Sequence, residues 1–189
     1  PQLAEQILED DKVDMVVIGR GQLVDPDFCN KAEAGNTEEI DYCVGCNQGC
    51  YDGFESKDSP CITCLRNPAV GREKECELIP AEKPETVLIA GGGIGGLEAA
   101  IILKKRGHNP ILCEATDTLG GQFLTAGEAP RKAEMKAAVL SMAEKAKRLG
   151  VDIRMNTKVT PEMIAEIKPH TFINAIGAAP IVPPIPGND

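Results

Sequence analysis

Residues 86–96 read TVLIAGGGIGG, a largely apolar run followed by five glycines in six positions. The run predicts a buried strand, and Gly91, Gly93 and Gly96 satisfy the G-x-G-x-x-G pattern that opens a helix against a dinucleotide pyrophosphate. Gly91 would permit the tight turn, Gly93 the close approach of the pyrophosphate, and Gly96 the packing of helix on strand. The stretch predicts a nucleotide-binding turn.

Glu114 extends this prediction, because it stands 18 residues after Gly96, at the end of the next predicted strand. Its carboxylate can accept hydrogen bonds from an adenosine ribose, and its charge would repel a 2′-phosphate. These residues therefore predict a ligand of the NAD or FAD type rather than NADP. The alternative is a glycine turn that binds no ligand, with Glu114 solvated.

The residues around this turn alternate between strand and helix patterns. Predicted strands cover residues 86–90, 110–114, 151–155 and 171–175, and predicted helices run from the glycine turn to about residue 106, from Pro130 to Gly150, and from a Thr160 cap. Strands that alternate with helices form parallel, doubly wound sheets. The fold class is therefore α/β, with a Rossmann-like parallel sheet.

The amino-terminal part is less regular. Residues 3–9 have helical spacing, residues 14–18 predict a short buried strand, and residues 19–21 predict a turn. A helix is then expected from Asp25, as its cap, to Gly35. One strand makes no sheet, so we expect its partner strands to lie mostly outside this chain. Residues 41–67 predict no element longer than a turn, and residues 80–84 predict an extended linker.

Composition limits the classes of protein that remain. The chain has 189 residues, 42% of them hydrophobic, and a net charge of −9. Acids outnumber bases 18 to 8 in residues 1–84, whereas residues 85–189 hold 11 acids and 12 bases, which predicts two separate pieces. Disorder, a membrane span and a nucleic-acid partner are disfavoured.

No signal pattern is visible, so we expect a cytoplasmic protein. Because the chain starts at Pro1 without Met and ends PGND, we also expect a fragment.

Five of the eight cysteines lie between residues 43 and 64. Cys43, Cys46 and Cys50 form a C-x2-C-x3-C run that can share one iron–sulfur cluster, with Cys61 or Cys64 as the fourth ligand. The rival arrangement is a zinc ribbon of two C-x2-C pairs, which leaves Cys50 unused. Iron–sulfur is favoured over zinc. The other three cysteines are expected to be structural.

Taken in order, these motifs resemble a known family. The quoted segments are VIGR at 17–20, DPD at 25–27, the CNQ-containing cysteine run at 43–50, CLRNP at 64–68, and the glycine fingerprint. Their order resembles the multidomain flavoproteins related to Old Yellow Enzyme, the group of 2,4-dienoyl-CoA reductase, 2-enoate reductase and trimethylamine dehydrogenase. The resemblance spans essentially the whole chain.

The resemblance implies a division of the chain into three parts. Residues 1–35 would end an FMN-binding (β/α)8 barrel, residues 36–80 would form a [4Fe-4S] segment and linker, and residues 85–189 would begin an FAD (ADP)-binding domain. In the parent enzyme, electrons from NAD(P)H would pass through FAD and the cluster to FMN and reduce an activated C=C bond of a small molecule, of enoate or dienoyl-CoA type. The remainder of the parent chain would be the partner, and this chain alone would be inactive.

The resemblance also implies site residues, although no catalytic acid or base falls within this chain. It selects Cys64 over Cys61 as the fourth cluster ligand, beside Cys43, Cys46 and Cys50. The implied cofactor-binding residues are Gly19 and Arg20 for the FMN phosphate, and Gly91, Gly93, Gly95, Gly96, Glu114, Gly121, Gln122, Lys132 and Val159 for FAD. The alternative function is a zinc-ribbon module joined to an adenine-nucleotide-binding domain with no redox role.

Overall fold

The computed structural model describes residues 1–58, 61–179, 181, 184 and 185. The residues 186–189 cited for the chain end lie outside the described residues. The chain forms two compact units: the first comprises Pro1–Ile79 with Ala126–Ser141, and the second comprises Pro80–Thr125 with Met142–Asp189.

The second unit is built on a parallel sheet. Its strands are β1 (Thr86–Ala90), β2 (Asn109–Cys113), β3 (Asp152–Arg154) and β4 (Thr171–Asn174). They pair in the order β3-β2-β1-β4, and each pairing is parallel. Four of the five β1 residues are buried. A near-continuous buried apolar run is typical of a central parallel strand covered on both faces.

Eight α-helices accompany the sheet within the described residues. They are α1 (Gln2–Glu9), α2 (Gly19–Val24), α3 (Phe28–Glu33), α4 (Tyr51–Glu55), α5 (Ile94–Lys105), α6 (Gln122–Ala126), α7 (Ala133–Arg148) and α8 (Pro161–Ile167). In the second unit, α5 buries Leu97, Ala100 and Ile101 while β1 and β2 bury Leu88 and Leu112, and these side chains form the core. No helix in the described part of the chain has the length and apolar character to cross a bilayer.

The predictions for the second unit are confirmed, with small shifts in boundaries. All four predicted strands are present and parallel, and the Thr160 hydroxyl caps α8 by accepting from Met163 N–H at 3.3 Å. The helix expected from Pro130 begins instead at Ala133. Arg131 has a φ of 62°, a left-handed conformation that an α-helix does not contain, so the helix starts after it. Gly150 follows the helix with a φ of 74°, as predicted.

The strand expected at residues 14–18 is not buried in the described structure, and that part of the prediction is wrong. That its partner strands lie outside this chain stays a prediction. These residues pair with no described strand, and Val17 is 92% exposed. A strand is defined by partner hydrogen bonds, and its sequence pattern alone supplies none. The turn expected at residues 19–21 is also wrong, because these residues begin α2.

The helix expected from Asp25 to Gly35 is shorter than predicted. It begins at Phe28, and the Asp25 carboxylate binds other groups instead of capping it. Gly35 has a φ of 78°, in agreement with its predicted place after the helix. The cysteine-rich segment contains one helix, the five-residue α4, that the sequence did not indicate.

Candidate functional site

The glycine turn joins β1 to α5 by a contact that requires glycine. A Cβ on Gly96 would lie 1.8 Å from Gly91 O, and a Cβ on Gly91 would lie 2.3 Å from Ala175 O. Gly91 also has a φ of 105°. The predicted roles of these two glycines, a tight turn and close packing of helix on strand, therefore match their geometry.

Gly93 and Gly95, in contrast, face open space. A Cβ built on either would meet no atom within 4 Å. Gly93 precedes α5, whose first N–H groups lack helical partners and favour an anion. Gly121 lies beside it, because a Cβ on Gly121 would be 3.2 Å from the Gly93 Cα. The structure thus brings Gly93 and Gly121 together at a helix N-terminus with room for a ligand.

Glu114 directly follows β2 and is held by donors of its own unit. Its Oε2 accepts from Gly92 N–H at 2.7 Å, and its Oε1 accepts from Thr116 N–H at 2.8 Å and Thr116 Oγ1 at 2.9 Å. Burial raises the pKa of Glu114, but these hydrogen bonds outweigh it, so the pKa lies below its ordinary value. The carboxylate is therefore ionised at neutral pH. The Ala115 backbone N–H also lowers the pKa of this carboxylate, and contact of Glu114 with a ribose hydroxyl stays a prediction.

We expect Glu114→Ala to weaken the binding of ADP and FAD by similar factors, because the lost contacts are to the shared ribose. Hydrogen bonds to a charged group contribute about 1.5–3 kcal/mol, or about 10- to 100-fold in affinity. Calorimetric titration with each ligand measures the loss. Asp117→Ala is the matched control, since Asp117 is an exposed carboxylate of the same loop. An unchanged affinity for ADP would remove Glu114 from the ribose site.

The remaining residues implied for FAD are distributed over both units. Gln122 begins α6, and its Nε2 donates to Ala178 O at 2.5 Å within the second unit. Val159 is half-buried in the loop between β3 and α8 of that unit. Lys132 is exposed and belongs to the first unit. Its part in nucleotide binding stays a prediction.

In the first unit, four cysteines surround one cavity. Cys43, Cys46, Cys50 and Cys64 all line one small, partly enclosed cavity, whereas Cys61 does not. The cavity lining therefore contains the four cysteines that the family resemblance selects.

A hydrogen bond between two backbone segments accounts for the place of Cys64. Thr63 N–H donates to Gly49 O at 2.9 Å. Because Thr63 precedes Cys64 and Gly49 precedes Cys50, this bond joins the backbone beside Cys64 to the backbone beside Cys50. A Cβ on Gly49 would lie 2.6 Å from Thr63 O, so this approach requires glycine. Cys61 is exposed and its Sγ lies near Gly71, where an added Cβ would be 3.1 Å away.

The cysteine loop has backbone turns and an N–H to sulfur hydrogen bond of the kind that iron–sulfur loops use. Gly45 N–H donates to Cys43 Sγ at 3.3 Å, and Gly45 and Asn47 have φ values of 65° and 59°. Such turns let a loop wrap around a cluster while its N–H groups face sulfur. Among the described residues, no three His, Cys, Asp or Glu side chains converge closely enough to hold a single metal ion.

Asp25 anchors the start of the cysteine-rich segment. Its carboxylate is 3% exposed and accepts from Lys31 Nζ at 2.6 Å, Asp41 N–H at 2.9 Å and Asp27 N–H at 3.1 Å. Burial raises the pKa of Asp25, but the bonds from Lys31, Asp41 and Asp27 outweigh burial and lower it overall. The bond to Asp41 fixes the backbone two residues before Cys43.

Asp25→Ala should lower the free energy of unfolding by about 3 kcal/mol, because it leaves Lys31 without its buried partner. In the folded protein the pKa of Asp25 is lowered. The ionised carboxylate therefore stabilises the fold fully above about pH 3.9, which is the pKa of an aspartate in the unfolded chain. This stabilisation is lost as the pH falls through the folded pKa. Urea unfolding at pH 7 and below pH 4 measures both effects. Asp27→Ala, which changes an exposed neighbour, is the control.

Gly19 and Arg20 lie at the start of α2, and both are exposed. Arg20 Nη1 donates to Asn47 Oδ1 at 2.6 Å, so this arginine supports the cysteine loop. Both residues also line a second, more open cavity, together with Arg131. Their predicted contact with an FMN phosphate stays a prediction.

Three side chains at these sites were not indicated by the sequence. Asn47 and Arg66 line the cysteine cavity, and Thr116 holds the Glu114 carboxylate. Thr116 could have been found from its place two residues after an acid, a spacing that favours a local hydrogen bond. Asn47 lies between Cys46 and Cys50, and Arg66 lies two residues after Cys64, but no spacing rule assigns either of them a role.

The site and the fold define a class, a dinucleotide-binding α/β domain preceded by a cysteine-rich segment. A family model for an NAD(P)-binding Rossmann-like domain matches residues 89–140. Bilirubin reductase of Mediterraneibacter gnavus is 37% identical over 188 residues, which are 100% of this chain and 29% of that protein. The metal reductase of Desulforamulus reducens is 39% identical over 98% of this chain and 28% of that protein.

A solved structure, 2-naphthoyl-CoA reductase with 2-naphthoyl-CoA, superposes with a TM-score of 0.91 at 29% identity. The match covers 98% of this chain and 28% of the other. The chain belongs to the flavoproteins related to Old Yellow Enzyme, as its motifs indicate. It spans less than a third of the length of the relatives it matches.

Proposed function

We propose that this chain is the central part of an NAD(P)H-dependent iron–sulfur flavin oxidoreductase, in which electrons travel from a nicotinamide through FAD and a [4Fe-4S] cluster to FMN. Residues 1–35 would end the FMN-binding barrel, residues 36–80 would hold the cluster, and residues 85–189 would bind the adenosine part of FAD. The observation that carries the proposal is the single cavity lined by Cys43, Cys46, Cys50 and Cys64.

The residues present suit the groups they would hold. Four thiols around one partly enclosed cavity, with a backbone N–H directed to Cys43 Sγ, are the donor set that an iron–sulfur cluster needs. Bound there, a cluster supplies one-electron transfer between flavins that exchange electrons in pairs. The protein residues orient the loop: Asp25 fixes its start, Arg20 bonds to Asn47 within it, and Gly49 admits the Thr63 backbone.

At the nucleotide site, the protein residues bind and orient the ligand. The N–H groups at the start of α5 would face the pyrophosphate across the open space at Gly93. The Glu114 carboxylate would accept from the ribose, and its charge disfavours a 2′-phosphate. We propose that the cofactor here is FAD, with Gly95, Gly121, Gln122, Lys132 and Val159 contributing contacts as the family resemblance implies.

The substrate is proposed to be a small molecule with an activated C=C bond, of enoate or dienoyl-CoA type. The support comes from relatives named for bilirubin and 2-naphthoyl-CoA, which are conjugated unsaturated compounds. No residue of this chain is assigned to substrate chemistry, and we expect the chain by itself to reduce no enoyl substrate.

Metal analysis and visible absorption of the complete protein, prepared without oxygen, test the proposal. We expect iron and acid-labile sulfide in equal amounts, with the broad visible absorption of an iron–sulfur cluster that bleaches on reduction by NADH or NADPH. Zinc at one per chain without sulfide would contradict it and support a zinc ribbon joined to an adenine-nucleotide-binding domain.

A further inference from the structure

Arg66 is a buried cation at the cysteine cavity. It lines the cavity with the four cysteines, and its side chain is 10% exposed. One end of the guanidinium is paired, because Nη2 donates to Asp41 Oδ1 at 2.9 Å. Its Nε, however, is fully buried and has no hydrogen-bond partner among the described residues.

An unpaired N–H of this kind requires an explanation. Native structures pair nearly all buried polar groups, and a charged donor is among the most costly to leave unpaired. The guanidinium is planar with its five donors in fixed directions, so Nε cannot turn toward another acceptor while Nη2 holds Asp41. Because Arg66 is one of the residues that line the cavity, a group held there is a candidate acceptor for its Nε–H.

The charges at the cavity point to the nature of that acceptor. Arg20 and Arg66 are the two cations among the described residues that line the cavity, and Arg20 is exposed and bonded to Asn47. Four thiolates would bring strong negative charge to the same place. Asp41 pairs with Arg66 at 2.9 Å, and the Asp41 side chain is 21% exposed.

We propose that Arg66 donates its Nε–H to a sulfur atom of the cluster that Cys43, Cys46, Cys50 and Cys64 hold, and so raises the reduction potential of that cluster. The inference rests on the proposed function. Reduction adds one negative charge to the cluster, and a hydrogen bond and a nearby cation both stabilise the more negative form. Arg66 thus sets the potential and does not take part in ligation.

The test uses the complete protein with its cluster, in which the midpoint potential is measured by redox titration followed by electron paramagnetic resonance. Arg66→Lys keeps a cation that can reach Asp41 but lacks the Nε donor, and we expect its potential to be more negative than that of the parent. Arg66→Gln supplies an amide N–H donor but no positive charge, and the midpoint potential of its cluster should also be more negative than that of the parent. Asp41→Asn is the control, because it keeps Arg66 and removes a carboxylate, so its potential should be unchanged or more positive.

A parent-like potential in Arg66→Lys and Arg66→Gln would overturn the proposal. So would an equal negative shift in Asp41→Asn, which would show that Arg66 acts only by holding the loop. If the two arginine variants do not take up the cluster, their iron content is compared with that of Asp41→Asn. Loss of iron in the arginine variants but not in Asp41→Asn supports the contact between Arg66 and the cluster. Equal loss of iron in all three variants contradicts it. A parent protein that carries no iron or sulfide would instead refute the proposed function itself.

Discussion

Cys64→Ser is expected to reduce the iron and sulfide of the complete protein to near zero, whereas Cys61→Ser should leave both unchanged. Cys64 lines the cavity with Cys43, Cys46 and Cys50, and a serine oxygen is a poor substitute for a soft thiolate at iron. Cys61 is exposed and lies near Gly71, away from the lining of the cavity. The two cysteines are three positions apart, so each variant is a matched control for the other.

Iron and sulfide analysis, with the visible spectrum, gives the result directly. The reverse outcome, with iron lost in Cys61→Ser and kept in Cys64→Ser, would sink the assignment. Loss of bound zinc in both variants, with Cys50→Ser unaffected, would support the zinc ribbon, because that arrangement uses Cys61 and Cys64 together and leaves Cys50 free.

The second unit could be predicted closely from the sequence because its signals are local. The buried run of β1, the glycines at the start of α5 and the Thr160 cap each act within a few residues. The geometry then agrees with the motif: Gly96 touches Gly91 where the fingerprint requires a close approach. Such agreement between local preference and fold is typical of regular α/β units.

The first unit could be predicted less well because its structure depends on distant partners. Residues 14–18 have the composition of a strand but bind no described strand. The α2 segment reads GRGQLV, whose two glycines disfavour a helix by about 1 kcal/mol each, yet it is helical. The local preference of GRGQLV therefore does not decide its structure, and residues 14–18 have no partner strand among the described residues.

The cysteine site shows the same limit at the level of single residues. The spacing of the cysteines does not decide whether Cys61 or Cys64 is the fourth ligand. In the structure, a long-range hydrogen bond from Thr63 to Gly49 places Cys64 at the cavity. Arg66 and Asn47 have no motif of their own. Their positions depend on long-range hydrogen bonds, from Arg20 to Asn47 and from Arg66 to Asp41, which the sequence does not show.

Gly93→Ala and Gly96→Ala should both weaken nucleotide binding, but only Gly96→Ala should also lower stability, although the two glycines stand three residues apart. A Cβ on Gly96 would lie 1.8 Å from Gly91 O, a backbone atom that cannot move without shifting β1 or α5. Overpacking typically costs about 1–3 kcal/mol, and a clash with a backbone atom belongs at the upper end of that range. We therefore expect Gly96→Ala to lower the melting temperature strongly, and to lose nucleotide binding only because the domain unfolds.

Gly93 has a φ of −74° and a ψ of −174°, which alanine adopts without strain, and its Cβ would meet no protein atom within 4 Å. Gly93→Ala should thus melt within a few degrees of the parent. Its methyl group would nevertheless occupy the space where we expect the pyrophosphate, and affinity for ADP should fall about tenfold or more, which corresponds to about 1.4 kcal/mol. Melting curves and ADP titrations of both variants separate the two effects. If Gly93→Ala binds ADP as the parent does, the open space before α5 is not the pyrophosphate site, and the fingerprint serves only to pack helix on strand.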